Sequence, residues 1–575
     1  MSEFLSPLSM SFAVLVLCCS CYAFVLWTRK KRRARELATL RDAWGKRVER
    51  ARDFSLYPSS LKARCDVDEN QCLDDDTWRD LNLDLVFAHL DRTSTLPGEI
   101  ELYRAMRASE TTTDVLEKRD DVISLFQTDV ATRESVQLQL SRLGRTYFPQ
   151  GILDLLWGEL PQRSPFTPLY RLLAMLVLLA VAASVLLLVN GLPYGAFAFC
   201  SIGALYTINF SIHYWTRSVL EERIRSIRYL SKMIATGHHL SQPNTLGRDS
   251  TGLEECKQRL KRHAMAVKAI PRATAVLVPE RGGAFDIVDL VQEHVSILFL
   301  IEVRGFYAVL DQLRIHRAEL QGLFCALGEL DALQAMASFR DGLETYCKPE
   351  FATDRRLLEV DGAYHPLLES PVPNSITITD RGCLVTGSNM SGKSTFLRTM
   401  GVCAVLAQST FTCPAAAYRG SMLQIASSLS PMDDLMDGKS FYLVEAERLL
   451  TMIHSSQGSR PALLIIDEML RGTNSTERLA ASEAILSFLV KNNAVIIVAT
   501  HDVELVQRLA ASYDSFHFSD QVDSSGLQFD YNLRPGRATT TNAIRLLDHL
   551  SYPSEIVENA RRQAFGPHDG ESRED

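Results

Sequence analysis

The stretch that decides the fold is Cys383-Leu-Val-Thr-Gly387-Ser-Asn-Met-Ser-Gly392-Lys393-Ser394-Thr395. Its apolar start predicts a buried strand, and the pattern G-x-x-x-x-G-K-S follows directly. The residues from Phe396 to Ala407 favour a helix, so the loop leads from a strand into a helix. A phosphate-binding loop requires this context, which argues against an ordinary turn.

The chemistry of this loop suits a nucleoside triphosphate with a magnesium ion. Glycines let backbone N–H groups converge on phosphate oxygens, and the N-terminus of the helix adds a favourable dipole. Lys393 would neutralise the β- and γ-phosphates, and Ser394 would bind Mg²⁺ through its hydroxyl. We therefore predict ATP and Mg²⁺ as cofactors, with the nucleotide held by Gly387, Ser388, Asn389, Met390, Ser391, Gly392, Lys393, Ser394 and Thr395.

Two further apolar runs end in polar residues. One is Ala462-Leu-Leu-Ile-Ile-Asp467-Glu468, in which Asp467 would bind the metal ion and Glu468 would orient or deprotonate the attacking water. The other is Ala494-Val-Ile-Ile-Val-Ala-Thr500-His501. Alone, an Asp-Glu pair is common as a helix N-cap and such a histidine is more often structural. One nucleotide site at the carboxyl ends of a parallel sheet explains all three strand ends, and Lys393, Glu468 and His501 become the predicted catalytic residues.

The same region resembles the ATPase domain of the MutS family of DNA mismatch-repair proteins. The loop is similar to the family's T-G-P-N-M-G-G-K-S-T, with Asn389-Met390 as the distinctive pair. Three further motifs match, and His365-Pro366 matches the H-P that opens the domain. The three motifs are Asp433-Asp434-Leu-Met-Asp-Gly438-Lys-Ser440-Phe-Tyr-Leu-Val-Glu445, Asp467-Glu-Met-Leu-Arg471-Gly472-Thr473 and Ala499-Thr-His501.

This resemblance implies an ABC-type ATPase that works as a homodimer with two composite sites, and it makes DNA an expected partner. By the same resemblance Ser440 would reach the γ-phosphate bound to the opposite subunit, and His501 would sense that phosphate or the attacking water. Asn542-Ala543-Ile544 and the residues from Pro553 to Ala560 resemble the C-terminal helix-turn-helix that helps the family dimerise.

Three apolar segments predict membrane spans. The first runs from Phe4 to Trp27 and is followed by a cluster of arginines and lysines, which indicates an uncleaved anchor with the following chain in the cytoplasm. The other two, from Leu172 to Val189 and from Leu192 to Tyr214, predict a membrane hairpin. A buried helical hairpin of a soluble core is the alternative, but Leu172 to Val189 contains no ionisable group and has no amphipathic face.

The chain of 575 residues, 46% hydrophobic and 23% charged, is long enough for two or three domains and is not globally disordered. Helical spacing predicts packed helices before residue 356, including tracts from Thr77 to Leu90, from Thr113 to Leu143 and from about Ile287 to Tyr346. Short strands alternating with helices predict an α/β domain after it. Together with the resemblance, which implies the ABC type and the lever domain, this gives the predicted fold class: an α/β P-loop ABC-type ATPase domain preceded by an all-α lever domain with transmembrane helices. The predicted divisions are 1–34 anchor, 35–170 first helical lever-like part, 171–215 transmembrane hairpin, 216–355 second lever-like part, 356–565 ATPase domain and 566–575 disordered tail.

The charge balance bears on the partners. The net charge is −8, so a nucleic acid would have to meet local patches. A basic stretch without intervening acids suits DNA phosphates or anionic lipid heads, and its position near membrane spans favours lipid; its residues are Lys257, Arg259, Lys261, Arg262, Lys268 and Arg272. DNA binding therefore depends mostly on the resemblance.

The sequence also departs from the family. No Phe-x-Glu tripeptide, the motif with which the family reads mismatches, occurs before the lever-like part, and the membrane hairpin interrupts that part. The main hypothesis is a membrane-anchored, multi-pass ATPase with a cytoplasmic ATPase domain that couples hydrolysis to DNA binding in repair or recombination. The alternative is a membrane mechano-ATPase with a protein or lipid partner. A transporter is less favoured, because the L-S-G-G-Q signature is absent.

Overall fold

The chain folds into two units. The computed structural model describes residues 7–62, 72–108, 110, 112–161, 165–190, 195–242, 251–268, 270, 287–352, 356–388, 390–429, 441–523, 526–537, 544, 547 and 552–565. The helical unit comprises residues 1–64, 91–102 and 121–342, and the sheet unit comprises residues 65–90, 103–120 and 343–575.

Helices occupy the chain before the first strand. They are α1 (Pro7–Ala43), α2 (Leu56–Lys62), α3 (Asp75–Asp80), α4 (Leu83–Leu90), α5 (Leu96–Arg107), α6 (Thr113–Thr128), α7 (Val130–Leu143), α8 (Pro149–Leu156), α9 (Thr167–Val189), α10 (Gly195–Leu240), α11 (Thr251–Ala266), α12 (Ile287–Leu298), α13 (Ile301–Ile315) and α14 (Arg317–Asp341).

Strands and helices alternate in the rest of the chain. The strands are β1 (Glu350–Phe351), β2 (Leu358–Ala363), β3 (Asn374–Ile378), β4 (Gly382–Thr386), β5 (Ala417–Gly420), β6 (Gln424–Ser428), β7 (Ala462–Asp467), β8 (Ala494–Ala499), β9 (Tyr513–Asp523) and β10 (Gly526–Pro535). The helices are α15 (Lys393–Thr410), α16 (Phe441–Ser456), α17 (Ser475–Leu489), α18 (Val503–Arg508) and α19 (Ser554–Phe565).

A six-stranded sheet forms the core of the sheet unit. Its order is β10-β9-β4-β8-β7-β6, and every neighbouring pair is parallel except β9 with β10. In register, Ala499 of β8 lies opposite Val385 of β4 and Asp467 of β7. The three apolar strands singled out in the sequence therefore lie side by side with their carboxyl ends level, as predicted.

The amino-terminal helix α3 completes the free edge of this sheet. At the edge strand β6, the backbone N–H of Ser427 donates to Oγ1 of Thr77 at 3.1 Å. Two residues on, the N–H of Leu429 donates to Oδ2 of Asp80 at 2.8 Å. Alternate N–H groups of an edge strand point away from the sheet, so side chains of α3 replace the missing neighbouring strand.

Asp80 also connects α3 with two helices of the sheet unit. Its buried carboxylate accepts from Nη2 of Arg448 in α16 at 2.6 Å, and its carbonyl oxygen accepts from Nε of Arg398 in α15 at 2.8 Å. Residues 65–90 and 103–120 thus belong with the sheets. This differs from the predicted division, in which residues 35–170 form one helical region, because long-range contacts leave no signal in local periodicity.

Two sequence-distant segments meet inside the helical unit. The carboxylate of Asp331 in α14 accepts from the backbone N–H of Thr95 at 2.8 Å and from its hydroxyl at 2.6 Å. Burial raises the pKa of Asp331 to about 6. Asp331 thereby satisfies N–H groups at the start of α5, which have no partner within that helix.

Local signals break the predicted long helices. The helix predicted from Thr77 to Leu90 is split at Asn82, whose φ is 53°. The tract predicted from Ile287 to Tyr346 is split at Leu300, whose φ is 50°. Asp129 separates α6 from α7 because its side chain accepts from the N–H groups of Ala131 and Thr132 and so caps α7.

One of the three predicted membrane spans coincides with a described helix of sufficient length and apolar composition. Among the residues that the structure describes, α9 alone is long and apolar enough to cross a bilayer, and 17% of its most apolar window is buried. The predicted third span lies in α10, where Asn209 and His213 are buried polar residues. Residues 4–6 of the first span and 191–194 of the hairpin turn lie outside the described residues, as does the tail 566–575.

Candidate nucleotide site

Two glycines shape the loop between β4 and α15. Gly387 has a φ of 148° and Gly392 a φ of 104°, which side chains rarely allow. A Cβ at Gly387 would lie 2.7 Å from Oγ of Ser391, and one at Gly392 would lie 3.1 Å from Cδ1 of Tyr531. The backbone can therefore turn tightly here only because these positions lack a side chain.

Lys393 lies inside the curve of the loop. It is the first residue of α15, and its Nζ donates to the carbonyl oxygens of Gly387 and Ser388, both at 2.7 Å. Within the described part of the chain, the hydroxyls of Ser388 and Ser391 are buried without a hydrogen-bond partner. Buried polar atoms are rarely left unpaired, so this cradle fits a polar ligand. Asn389 lies outside the described residues, and Met390 next to it is exposed.

The two predicted metal ligands are in direct contact. The hydroxyl of Ser394 donates to Oδ2 of Asp467 at 2.6 Å, although the residues belong to α15 and β7. Ser394 lies in the first turn after the loop, and Asp467 is the last residue of its strand. A hydroxyl and a carboxylate are oxygen ligands of the kind that Mg²⁺ prefers.

Glu468 is held between a histidine and an arginine. Its backbone N–H donates to the carbonyl oxygen of Ala499 at 2.9 Å, which fixes β7 beside β8 at this point. Its Oε1 lies 2.7 Å from Nδ1 of His501, and its Oε2 lies 3.1 Å from Nε of Arg471. The structure thus brings Glu468 and His501 together, as expected for one site at the strand ends.

Glu445 supports a strained turn after the Asp-Glu pair. Glu468 and Leu470 have φ values of 56° and 55°, a region that is costly for residues with a side chain. The buried carboxylate of Glu445 accepts from the N–H of Leu470 at 2.5 Å and of Arg471 at 3.1 Å. Burial raises the pKa of Glu445. The sequence motif contained this glutamate but did not reveal what it contacts.

Arg471 and Tyr531 also line the site, although sequence reasoning named Arg471 only as part of a motif and did not name Tyr531. Arg471 donates through Nη2 to the carbonyl oxygen of Asp467 at 2.8 Å as well as pairing with Glu468. Its position three residues after Glu468 is a spacing that permits such a pair within one turn. Tyr531 comes from β10, and no local pattern connects it with the loop.

The loop, Asp467, Glu468, Arg471 and Tyr531 surround one cavity of about 540 Å³, whereas His501 is not among its lining residues and reaches it only through its contact with Glu468. Its volume lies within the usual range for small-molecule sites, roughly 300–1,000 Å³. The cavity is lined by Met390, Gly392, Lys393, Ser394, Thr395, Leu429, Asp467, Glu468, Arg471 and Tyr531. Ser440 and the rest of residues 430–440 lie outside the described residues.

This cavity lies at the carboxyl ends of parallel strands with a glycine loop before a helix, which defines a P-loop ATPase-type α/β domain. Residues 383–565 match the family described as MutS domain V. The resemblance of this region to the MutS family, expected from its motifs, is thereby confirmed.

Curated relatives share the same region. The chain is similar to the DNA mismatch repair protein MutS of Thermus thermophilus, with 30% identity over 266 residues, 45% of this chain and 32% of the relative. It is also similar to MutS of Natronomonas pharaonis, with 28% identity over 45% of this chain and 31% of the relative. A third relative is DNA mismatch repair protein MutS 2 of Halobacterium salinarum, with 28% identity over 46% of this chain and 32% of the relative. The chain thus spans about a third of the length of these relatives.

Proposed function

We propose that the chain is a membrane-attached ATPase of the MutS type that binds and hydrolyses ATP as a homodimer and couples hydrolysis to DNA binding. The observation that carries the proposal is the convergence of Lys393, Ser394, Asp467 and Glu468 on one cavity. The names of the relatives support the link to DNA mismatch repair.

The loop would bind the triphosphate. Lys393 can exchange its two carbonyl contacts for phosphate oxygens, since it lies at the same loop. Ser394 and Asp467 would hold Mg²⁺, which when bound neutralises negative charge on the phosphate oxygens. The exposed ring of Tyr531 lies beside Gly392 and offers a surface on which a base can stack.

Glu468 would act on the attacking water. Its carboxylate is fixed by His501 and Arg471, so little reorganisation is needed when a water molecule is oriented. In an ABC-type dimer, Ser440 of one subunit would contact the nucleotide of the other. This dimer arrangement follows from the resemblance of residues 433–445 to the family motif.

ATP turnover tests the proposal. The full chain in neutral detergent should hydrolyse ATP, and duplex, mismatched or branched DNA should change the rate. Turnover that no DNA alters would contradict coupling to DNA while leaving the ATPase intact. Absence of ATP binding at saturating Mg²⁺ would contradict the whole proposal.

Membrane attachment through the predicted hairpin of residues 171–215, in which α9 forms the first arm, is part of the proposal, with the ATPase domain in the cytoplasm. The length and apolar exposed surface of α9 support it. We expect the chain to fractionate with membranes and to remain there after alkaline extraction. Deletion of residues 171–215 together with the predicted anchor, residues 4–27, should release the protein into the soluble fraction.

A mechano-ATPase without DNA remains a second candidate because of one observation. The apolar helix α9 packs through Tyr170 and Leu173 on Leu300 and Val303 of the helical unit, so displacement of α9 would move these helices. This candidate predicts that deleting residues 171–215 abolishes the cellular function but leaves ATP binding intact. A DNA-coupled enzyme would still respond to DNA after this deletion.

A further inference from the structure

A cavity with two arginines lies where α9 begins. It has a volume of about 370 Å³ and lies between the first turns of α9 and the middle of α13. We call it the arginine pocket, and its polar lining residues are Thr167, Arg171, Arg304, Tyr307 and Asp311. All of them belong to the helical unit, and none belongs to the nucleotide site.

Packing below the arginine pocket fixes its two walls. The rings of Tyr170 and Tyr307 stack with centroids 6.4 Å apart, and Leu173 packs with Leu300 and Val303 in one apolar cluster. Arg304 also donates through Nη1 to the carbonyl oxygen of Phe299 at 3.3 Å. The two helices therefore hold Arg171 and Arg304 on opposite walls of one cavity.

The charge of the pocket suits an anion. Asp311 is the acidic residue in its lining, and its Oδ1 lies 3.6 Å from Nη1 of Arg314, which partly compensates its charge. Arginine can bind phosphate oxygens through two parallel hydrogen bonds, whereas the ammonium group of lysine acts as a point charge. The amino-terminal turn of α9 adds positive partial charge at the same end. A phosphate group fits this combination.

An apolar surface continues from the pocket along the same helix. On the face that begins with Arg171, α9 exposes Met175, Leu178 and Val185, which are 53%, 58% and 56% exposed. Met175 follows Arg171 by four residues, Leu178 follows Met175 by three, and Val185 follows Leu178 by seven, which is two helical turns. These spacings keep the four side chains on one side of the helix. A ligand with a phosphate head and a long apolar tail would match both features.

We propose that the arginine pocket binds the phosphate head of an anionic phospholipid whose acyl chains lie along the exposed face of α9. The inference rests on the proposed membrane attachment and not on ATP hydrolysis. A free phosphate ion shares the head-group chemistry, but it would leave the apolar face of α9 without a role.

Lipid titration tests this assignment. Fluorescent phosphatidylglycerol and phosphatidylcholine are titrated separately into the full chain in neutral detergent, and inorganic phosphate is then added as competitor. We expect tighter binding of phosphatidylglycerol. Replacing both arginines, as R171Q/R304Q, should weaken it about twenty-five-fold, because each cation near an anionic head contributes roughly a factor of five.

Two further variants control for charge and folding. R419Q/K491Q removes two exposed cations from the sheet unit and should leave lipid affinity unchanged. D311N removes the acid of the pocket and should tighten binding about five-fold. The tighter lipid binding expected of D311N keeps the test valid if R171Q/R304Q fails to fold. ATP turnover is also measured on each preparation, so that failure of lipid binding can be distinguished from failure of the ATPase.

Three results with the lipids and the variants would each overturn the lipid assignment. These are equal affinity for both lipids, equal weakening by R171Q/R304Q and R419Q/K491Q, or no tightening in D311N. Displacement of phosphatidylglycerol by inorganic phosphate at matched concentration would show a soluble-anion site instead and would also overturn it.

Discussion

Nδ1 of His501 lies 2.7 Å from Oε1 of Glu468, although the two residues follow different strands of the sheet. The contact is possible because β7 and β8 are neighbours in register and end at the same level. The side chain of Glu468 is 19% exposed and that of His501 is 57% exposed. The carboxylate is therefore oriented from the solvent side by the imidazole, while it remains open to the nucleotide cavity.

Replacing Glu468 by glutamine should separate ATP binding from hydrolysis. The amide keeps the shape of the side chain but cannot accept a proton, so turnover should fall about a hundredfold or more while ATP affinity is retained. Single-turnover hydrolysis and equilibrium binding of ATP measure the two effects. The matched control E504Q changes an exposed glutamate and should be as active as the unaltered chain. Normal turnover in E468Q would rule out its role as the base.

Replacing Lys393 by alanine should weaken ATP binding itself. The ammonium group is buried at the loop, and loss of a charge-assisted bond of about 1.5–3 kcal/mol corresponds to roughly a ten- to hundredfold lower affinity. Titration with a fluorescent ATP analogue in the presence of Mg²⁺ gives the value. K491A, at an exposed lysine of the same unit, should bind normally. Unchanged affinity in K393A would place the nucleotide elsewhere.

Replacing Asp80 by asparagine should destabilise the sheet unit. Breaking a buried ion pair leaves Arg448 without its counter-charge, and such losses amount to about 3–5 kcal/mol. Urea unfolding followed by tryptophan fluorescence, to which Trp78 of α3 contributes, reports the change. D76N on the same helix removes an exposed pair with Arg79 and should cost at most about 1 kcal/mol. Equal effects of D80N and D76N would show that the edge contact contributes little.

His365 should make the stability of the sheet unit depend on pH. Burial, and then the nearby Arg398, lower the pKa of His365 to about 4, against about 6.5 in an unfolded chain. Between these values the unfolded state binds more protons, so the free energy of unfolding falls as the pH falls below about 6.5. Between pH 7 and pH 5, the free energy of unfolding of the unaltered chain should fall by about 2 kcal/mol more than that of H365Q, in which position 365 cannot titrate. Parallel urea unfolding at both pH values measures the difference, and identical losses would contradict it.

The sequence predicted the parts of the fold and site that depend on local pattern. The glycine loop and the apolar strands before Asp467 and His501 were readable because strand burial and turn chemistry act over a few residues. Helix breaks at Asn82 and Leu300 were missed, since a single left-handed residue leaves the apolar periodicity unchanged on both sides.

Contacts between distant residues could not be predicted in the same way. Nothing near Asp80 indicates that it pairs with Arg448, and nothing near Glu445 indicates that it receives the N–H groups of Leu470 and Arg471. The apolar composition of α9 is visible in the sequence, whereas the burial of Asn209 and His213 in α10 depends on tertiary packing.

The hydrogen bond between Thr77 and Ser427 spans 350 positions in the chain. At a synthesis rate of about 5–20 residues per second, the ribosome would produce Ser427 roughly 20–70 s after Thr77. During that interval the nascent α3 has no strand edge to cover, so the sheet unit cannot complete its fold in the order in which its residues are synthesised. A recombinant fragment that starts at the matched region would lack α3 entirely, and its uncovered edge would be open to self-association.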